Sequence, residues 1–75
     1  MKKFLITFGQ IHAHRMKDVT LDKDCVGRYS AKDHEEARKK AFAAFGDKFF
    51  TTYEEKDFKA SNLQYFPRGF VDFDI

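Results

Sequence analysis

His12-Ala13-His14 is the first place in this chain where residue type and spacing could do chemistry. On a strand, residues i and i+2 share a face, so both imidazoles could converge on one metal ion, with Cys25 as a third ligand. A structural zinc site needs four ligands, and a catalytic one needs three plus a water. No fourth ligand stands at a recognisable spacing. The pair therefore reads as two surface histidines beside Gln10, and no metal or cofactor is expected. Asp22-Lys23-Asp24-Cys25-Val26-Gly27 begins like a calcium loop and has Asp33 at the twelfth position. Val26 at the fifth position offers no side-chain oxygen and no helix precedes the loop, so the likeness is coincidence. Cys25 as a nucleophile would need an adjacent base and an electropositive setting. It stands beside Val26 in an apparent strand, where a cysteine packs. Glu54, Glu55 and Asp57 are close enough for acid–base work, but three carboxylates among lysines are ordinarily solvated. There is no phosphate-cradling glycine loop and no nucleophile elbow. The chain is not expected to be an enzyme.

Two surfaces suit binding instead. Tyr65, Phe66, Arg68 and Phe70 surround the Pro67 turn. Tyr and Arg are enriched among interface hot spots, and proline stiffens a turn before it meets a partner. The competing reading is that Phe66 and Phe70 fold back and seal the sheet. Lys32, Arg38, Lys39 and Lys40 form the second surface, a basic helix face of the kind that tracks a nucleic-acid backbone when aromatics lie nearby. On the bland reading it is a solvated helix face.

Composition narrows the setting for both. The chain has 75 residues, which suits one domain spanning 1–75. Ten Phe and three Tyr are more aromatics than one small core hides, so some should reach the surface. The net charge of +2 is too balanced to argue for nucleic acid, although residues 1–40 carry ten Lys/Arg against six Asp/Glu, and residues 41–75 carry four against six. Cys25 is the single cysteine. Small chains from oxidising compartments are usually stapled by several disulfides, so the cytoplasm is the expected location. The apolar start, Phe4-Leu5-Ile6-Thr7-Phe8, breaks at Gly9-Gln10, too early for a signal peptide, and no stretch approaches a membrane span. No membrane association is expected.

The elements that would position these residues follow from periodicity. Phe4 to Ala13 reads as a first strand with Phe4, Ile6 and Phe8 on one face; a bulge at Gly9 would then bring Ile11 and Ala13 inward. Lys17 to Asp24 reads as a polar turn and Cys25 to Tyr29 as a second strand, the two strands pairing as a hairpin. Asp33 is a good N-cap, Glu36 stands at the capping-box spacing, and Gly46 follows the last apolar residue. Between them Ala37, Ala41, Ala44 and Phe45 make a helical stripe, flanked by Phe42. Phe49 to Glu54 reads as a third strand, 55–62 as a connection with one helical turn near Phe58, and Leu63 to Phe66 as a short strand. Phe70 to Ile75 closes the chain, with Val71, Phe73 and Ile75 on one face. The expected fold is α+β: one helix on a three- to four-stranded, mainly antiparallel sheet in ββαββ order.

The layout of Tyr29-Ser30-Ala31-Lys32-Asp33-His34-Glu35-Glu36-Ala37-Arg38 and Phe45-Gly46-Asp47-Lys48-Phe49 resembles that of many small phage- or mobile-element-encoded proteins. The resemblance implies a class that includes anti-CRISPR-type proteins, which bind and block a host factor stoichiometrically. It carries over no site residue. Taken together, a protein partner is the leading expectation and nucleic acid the alternative. A small metal-dependent enzyme using His12 and His14 stands third. The sequence does not specify an oligomeric state.

Overall fold

The computed structural model describes residues 1–16 and 19–75. Lys17 and Asp18, which open the turn expected from sequence, lie outside the described residues. Among the described residues, six strands and one helix follow in the order β1 (Lys2–Thr7), β2 (His14–Met16), β3 (Val19–Leu21), β4 (Cys25–Ala31), α1 (His34–Phe45), β5 (Thr51–Glu54) and β6 (Gly69–Asp72). Two 3-10 turns, Glu55–Asp57 and Ala60–Tyr65, lie between β5 and β6. The class is α+β, as expected, but the sheet is not. The main sheet has the order β5-β1-β4-β6, and β2 and β3 form a separate two-stranded sheet.

The main sheet is mixed. β1 pairs antiparallel with β4 (Phe4 opposite Tyr29) and with β5 (Phe4 opposite Glu54), while β4 and β6 are parallel (Val26 opposite Phe70). Thus β4, β5 and β6 run one way and β1 runs against them. The chain must therefore cross the sheet twice. From β4 to β5 it crosses through α1. From β5 to β6 it returns from one edge to the other, roughly 14 Å at the usual strand spacing, through residues 55–68. Parallel strands need such crossovers, and this pair uses opposite faces of the sheet.

The helix begins and ends where its local signals place it. Asp33 Oδ1 accepts from the Glu36 N–H at 2.8 Å, and Glu36 Oε1 reaches back to the Lys32 N–H at 2.8 Å. At the other end the Gly46 N–H donates to the Phe42 carbonyl. Ala37, Ala41 and Phe45 are buried, but Ala44 is exposed. The buried line steps by four residues, which drifts about 40° round the helix each time and leaves Ala44 about 100° away at the level of Phe45. The last turn of the helix carries no basic residue.

The helix-side core holds Phe4, Ile6 and Phe8 with Tyr29, Ala31, Phe45 and Phe73, and Val71 and Ile75 pack against it. Small alanines bring α1 close, and Tyr29 donates its hydroxyl to the Ala37 carbonyl at 2.7 Å. Burial pushes the Tyr29 phenol up to about 12, so it remains a donor through the physiological range. Where Phe73 crosses β4, a Cβ on Gly27 would stand 2.6 Å from the Phe73 ring and 2.9 Å from Ile6. Only glycine admits that approach.

Several element boundaries differ from the sequence expectation. The first strand stops at Thr7 rather than running on to Ala13. Gly9 takes a φ of 70°, and the chain turns instead of bulging, leaving Ile11 86% exposed and Ala13 outside. The third expected strand begins at Thr51 rather than Phe49, and residues 63–65 belong to the 3-10 turn Ala60–Tyr65 instead of a strand. No helix among the described residues is long and apolar enough to cross a membrane.

Candidate functional site

On β1, alternation sends Leu5 and Thr7 to the face away from α1. The register places Val26 and Arg28 of β4, Tyr53 of β5, and Phe70 and Asp72 of β6 on that same face. Leu5 and Val26 are fully buried there, so this face is a second core. The returning crossover covers it. Phe58 sits at its centre, with ring centroids 5.7 Å from Tyr53, 6.3 Å from Phe66 and 5.9 Å from Phe70. Edge-on and tilted contacts at these distances are the favoured aromatic geometries.

Arg28 fixes one side of this second core. Its guanidinium takes both Asp72 carboxylate oxygens, at 2.7 and 3.0 Å, and reaches Glu55 at 3.2 Å while lying 5.0 Å from the Phe70 ring centre. The hydrogen bonds from Arg28 hold the Asp72 carboxyl below its ordinary value of 3.8. A depressed carboxyl contributes stability above the unfolded value and loses it as pH falls through the folded one. Asp72 is largely exposed, so screening keeps the effect under about 1 kcal/mol. Wild type should melt slightly above Asp72→Asn at pH 7, and thermal scans below pH 3.8 should show that margin shrinking.

On the other side, the crossover and the C-terminal end of β1 do not close. A cleft of about 500 Å³ remains, lined by Thr7, Gly9, Gln10, Lys23, Phe50, Tyr53, Phe58, Asn62, Tyr65 and Phe66. Two of its aromatics are open to solvent, Phe50 at 72% and Tyr65 at 69%. Phe50 is held by its backbone, which donates to the Thr7 carbonyl at 2.8 Å. Thr7 is only 4% exposed, and its Oγ1 has no hydrogen-bond partner among the described residues. Buried hydroxyls are ordinarily bonded, so an orphan beside a cleft calls for an explanation. Among the described residues, the one charged lining residue, Lys23, has its Nζ 3.0 Å from Asp24 Oδ1.

The four turn residues expected at a binding surface separate. Tyr65 and Phe66 line the cleft. Phe70 is half-covered by Phe58 and Arg28. Arg68 is a tie: its guanidinium donates to the Thr20 carbonyl at 2.8 Å and lies 3.3 Å from Asp22 Oδ1. The basic helix face is similarly engaged. Lys39 and Lys40 lie 3.5 and 3.7 Å from Glu35 and Glu36, Lys40 also donates to the Ser30 carbonyl, and Arg38 lies over Phe42. Lys32 is exposed.

The polar candidates resolve into structural parts. His14 is not a free surface side chain: its ring packs between Phe8 and Phe45, with centroids 5.6 and 4.6 Å away, and Nε2 meets the Lys48 carbonyl at 2.7 Å. β2 turns it toward the helix-side core together with Met16. Among the described residues no three His, Cys, Asp or Glu side chains gather as metal ligands, and His12 and His14 have no third partner. Cys25 is buried, and burial pushes its thiol up, against nucleophile use. Asp22 closes the β3–β4 turn by accepting from the Asp24 N–H. Glu54 and Glu55 are engaged by Lys2, Lys56 and Arg28.

Sequence reasoning did not find Thr7, Phe50, Tyr53, Phe58 or Asn62. Alternation reads Thr7 as a solvent-side residue, and only a covering crossover makes it a floor. A signal existed in the aromatic surplus, which is what the second core and the cleft consume. No protein-family model, no curated protein and no solved structure matches this chain.

Proposed function

We propose that this chain is a small non-catalytic binding module that acts stoichiometrically on a protein partner, with the cleft between β1 and the crossover as its anchor site. The observation that carries this reading is the pair of exposed rings, Phe50 and Tyr65, standing at a cleft whose other walls are already packed. Exposed aromatics beside a concave apolar surface are the usual material of interface hot spots. Among the described residues the lining offers hydroxyls, amides, rings and the Lys23 amine, and none of the paired acid, base or nucleophile arrangements that catalysis uses. A host-factor inhibitor of the phage-encoded kind, working in the cytoplasm, fits this mode of action. Nucleic acid is the less favoured partner, because Lys39 and Lys40 are offset by glutamates on the same helix.

The test begins with a pull-down from the native host, with and without nuclease, and continues with the purified partner. Phe50→Ala with Tyr65→Ala should remain folded by circular dichroism, since both rings are mostly outside. Binding should weaken at least tenfold, about 1.4 kcal/mol. Full affinity in that variant, with loss of binding when Arg38 and Lys39 are reversed in charge, would move the site to the helix.

A further inference from the structure

Resting on that reading of the cleft, we propose that the partner adds an extended strand to the outer edge of β5, sending one side chain into the cleft and the next into a groove on the helix side of the sheet. β5 ends the sheet order, and among the described residues β1 is its only strand neighbour. In an antiparallel pair alternate residues turn their N–H and C=O groups away from the neighbour, so β5 offers an open half-ladder along its outer side. Natural edges are often closed to such pairing by proline or lysine. Thr51-Thr52-Tyr53-Glu54 contains neither, and its Thr and Tyr residues favour strands.

Both faces beside this edge are concave. Thr52 turns toward the helix, where its Oγ1 lies 3.4 Å from His34 Nε2, and Tyr53 turns into the cleft of about 500 Å³. On the helix side a smaller groove of about 230 Å³ is lined by Arg38, Phe42, Asp47, Phe49, Phe50 and Thr51. Phe50 lines both, so it stands where the two meet, at the start of β5. It is 72% exposed, and Phe42 in the groove is 48% exposed. Neighbouring residues of a strand point to opposite faces, so a strand laid along β5 serves both sites with consecutive side chains.

Charge and size define that strand. The cleft presents the rings of Phe50, Tyr53, Phe58, Tyr65 and Phe66, which suit an apolar side chain. The groove carries both Arg38 and Asp47, so a guest of either sign meets one like charge. Its complement is a neutral group that both donates and accepts, such as Gln or Thr. The matching segment therefore alternates apolar and polar residues. A helix pairs its backbone groups internally and cannot extend the ladder. Two folded copies meeting edge to edge would share four residues, about 13 Å of strand, a contact well short of the roughly 800 Å² per partner that stable interfaces bury. An extended segment of a partner is free to fill both sites.

The probe is the peptide acetyl-Thr-Leu-Gln-Phe-Thr-Leu-Gln-amide, with a control of the same composition in which the apolar residues are grouped. Two further versions carry N-methyl groups on alternate residues, one on the odd positions and one on the even. Binding and amide hydrogen exchange would be followed by NMR on the purified protein. In the free protein, alternate amides of residues 51–54 should exchange fast although they lie in a strand, and the alternating peptide should slow them. One N-methylated version should lose about tenfold in affinity, because its methyls replace the donors that face β5, and the other should keep its affinity. Phe50→Ala with Tyr65→Ala, and separately Phe42→Ala, should weaken the peptide while staying folded. Equal binding of the grouped control, equal effects of the two methylation patterns, unchanged exchange in 51–54, full affinity in those variants, or no binding at the solubility limit would each overturn the proposal. A partner that requires Phe50 and Tyr65 yet leaves the β5 amides exchanging would keep the binding-module reading and remove only the added strand.

Discussion

Phe45→Ala should be mostly unfolded at room temperature. Phe45 is buried, and its ring meets Phe8 at 5.2 Å, His14 at 4.6 Å and Phe73 at 6.0 Å. It therefore joins the helix to the first strand, the β2–β3 hairpin and the chain's end. Truncating such a Phe costs roughly 3–5 kcal/mol, because the rigid surroundings cannot refill the space. A domain of this length rarely holds more than about 3–5 kcal/mol in total. Far-ultraviolet circular dichroism and urea titration would show the loss. Phe42→Ala, one turn earlier on the exposed side of the same helix, is the control and should cost about 1 kcal/mol or less, because Phe42 is half outside, with its ring against Phe49 and Arg38. A Phe45→Ala protein that melts within a few degrees of wild type would mean that the helix-side core is held elsewhere.

Phe58→Ala should act differently, by releasing the second core while the first persists. The Phe58 ring is the common neighbour of Tyr53, Phe66 and Phe70, and it lines the cleft. Because it keeps partial exposure, the expected cost is roughly 2–3 kcal/mol, below that of a fully buried Phe. The crossover has no regular hydrogen-bond ladder of its own, so its attachment depends on these side chains. Hydrogen exchange should accelerate across residues 55–66 before it does in β1 and β4, as expected of a locally unfolding segment. Binding at the cleft should disappear even where the strands remain protected. Retained protection of 55–66, or wild-type binding in this variant, would show that the crossover is fixed by Arg28 and the 3-10 backbone instead.

These two variants separate what is local from what is not. The helix that Phe45 closes was legible residue by residue, since capping is decided within one turn: Asp33 and Gly46 make the expected contacts, and Glu36 reaches back one residue beyond the cap, to the Lys32 N–H. The alternation of Phe4, Ile6 and Phe8 and of Val71, Phe73 and Ile75 also fixed which side chains meet α1. Phe58 had no such signature. A 3-10 turn is short and poorly periodic, so its apolar residues do not announce a face. From sequence, residues 55–62 read as a connection with one helical turn near Phe58, and Leu63 to Phe66 as a short strand.

The histidine pair shows the same limit from another side. Spacing put His12 and His14 on one strand face, but β2 begins at His14 and leaves His12 outside it, and spacing could not tell that β2 folds back over Phe8 and Phe45. Packing against aromatics, with Nε2 on the Lys48 carbonyl, makes His14 a bridge between the hairpin and the end of the helix. The turn residues divided for a comparable reason. Tyr65 and Arg68 are three residues apart, but a 3-10 turn followed by Pro67 sends one to the cleft and the other back to Asp22.

By itself, then, the sequence determined the α+β class, the helix and its ends, the helix-side core and the excess of aromatics over what that core can hold. Each of these depends on contacts within a few residues or on a count. The tertiary structure alone decided that β4 and β6 run parallel at the far side from β5, that the return path crosses the open face of the sheet, and that Thr7 becomes the floor of a cleft. Strand neighbours are chosen by the burial of whole faces over long sequence separations. A strand buried on both faces no longer shows in its sequence which side is which.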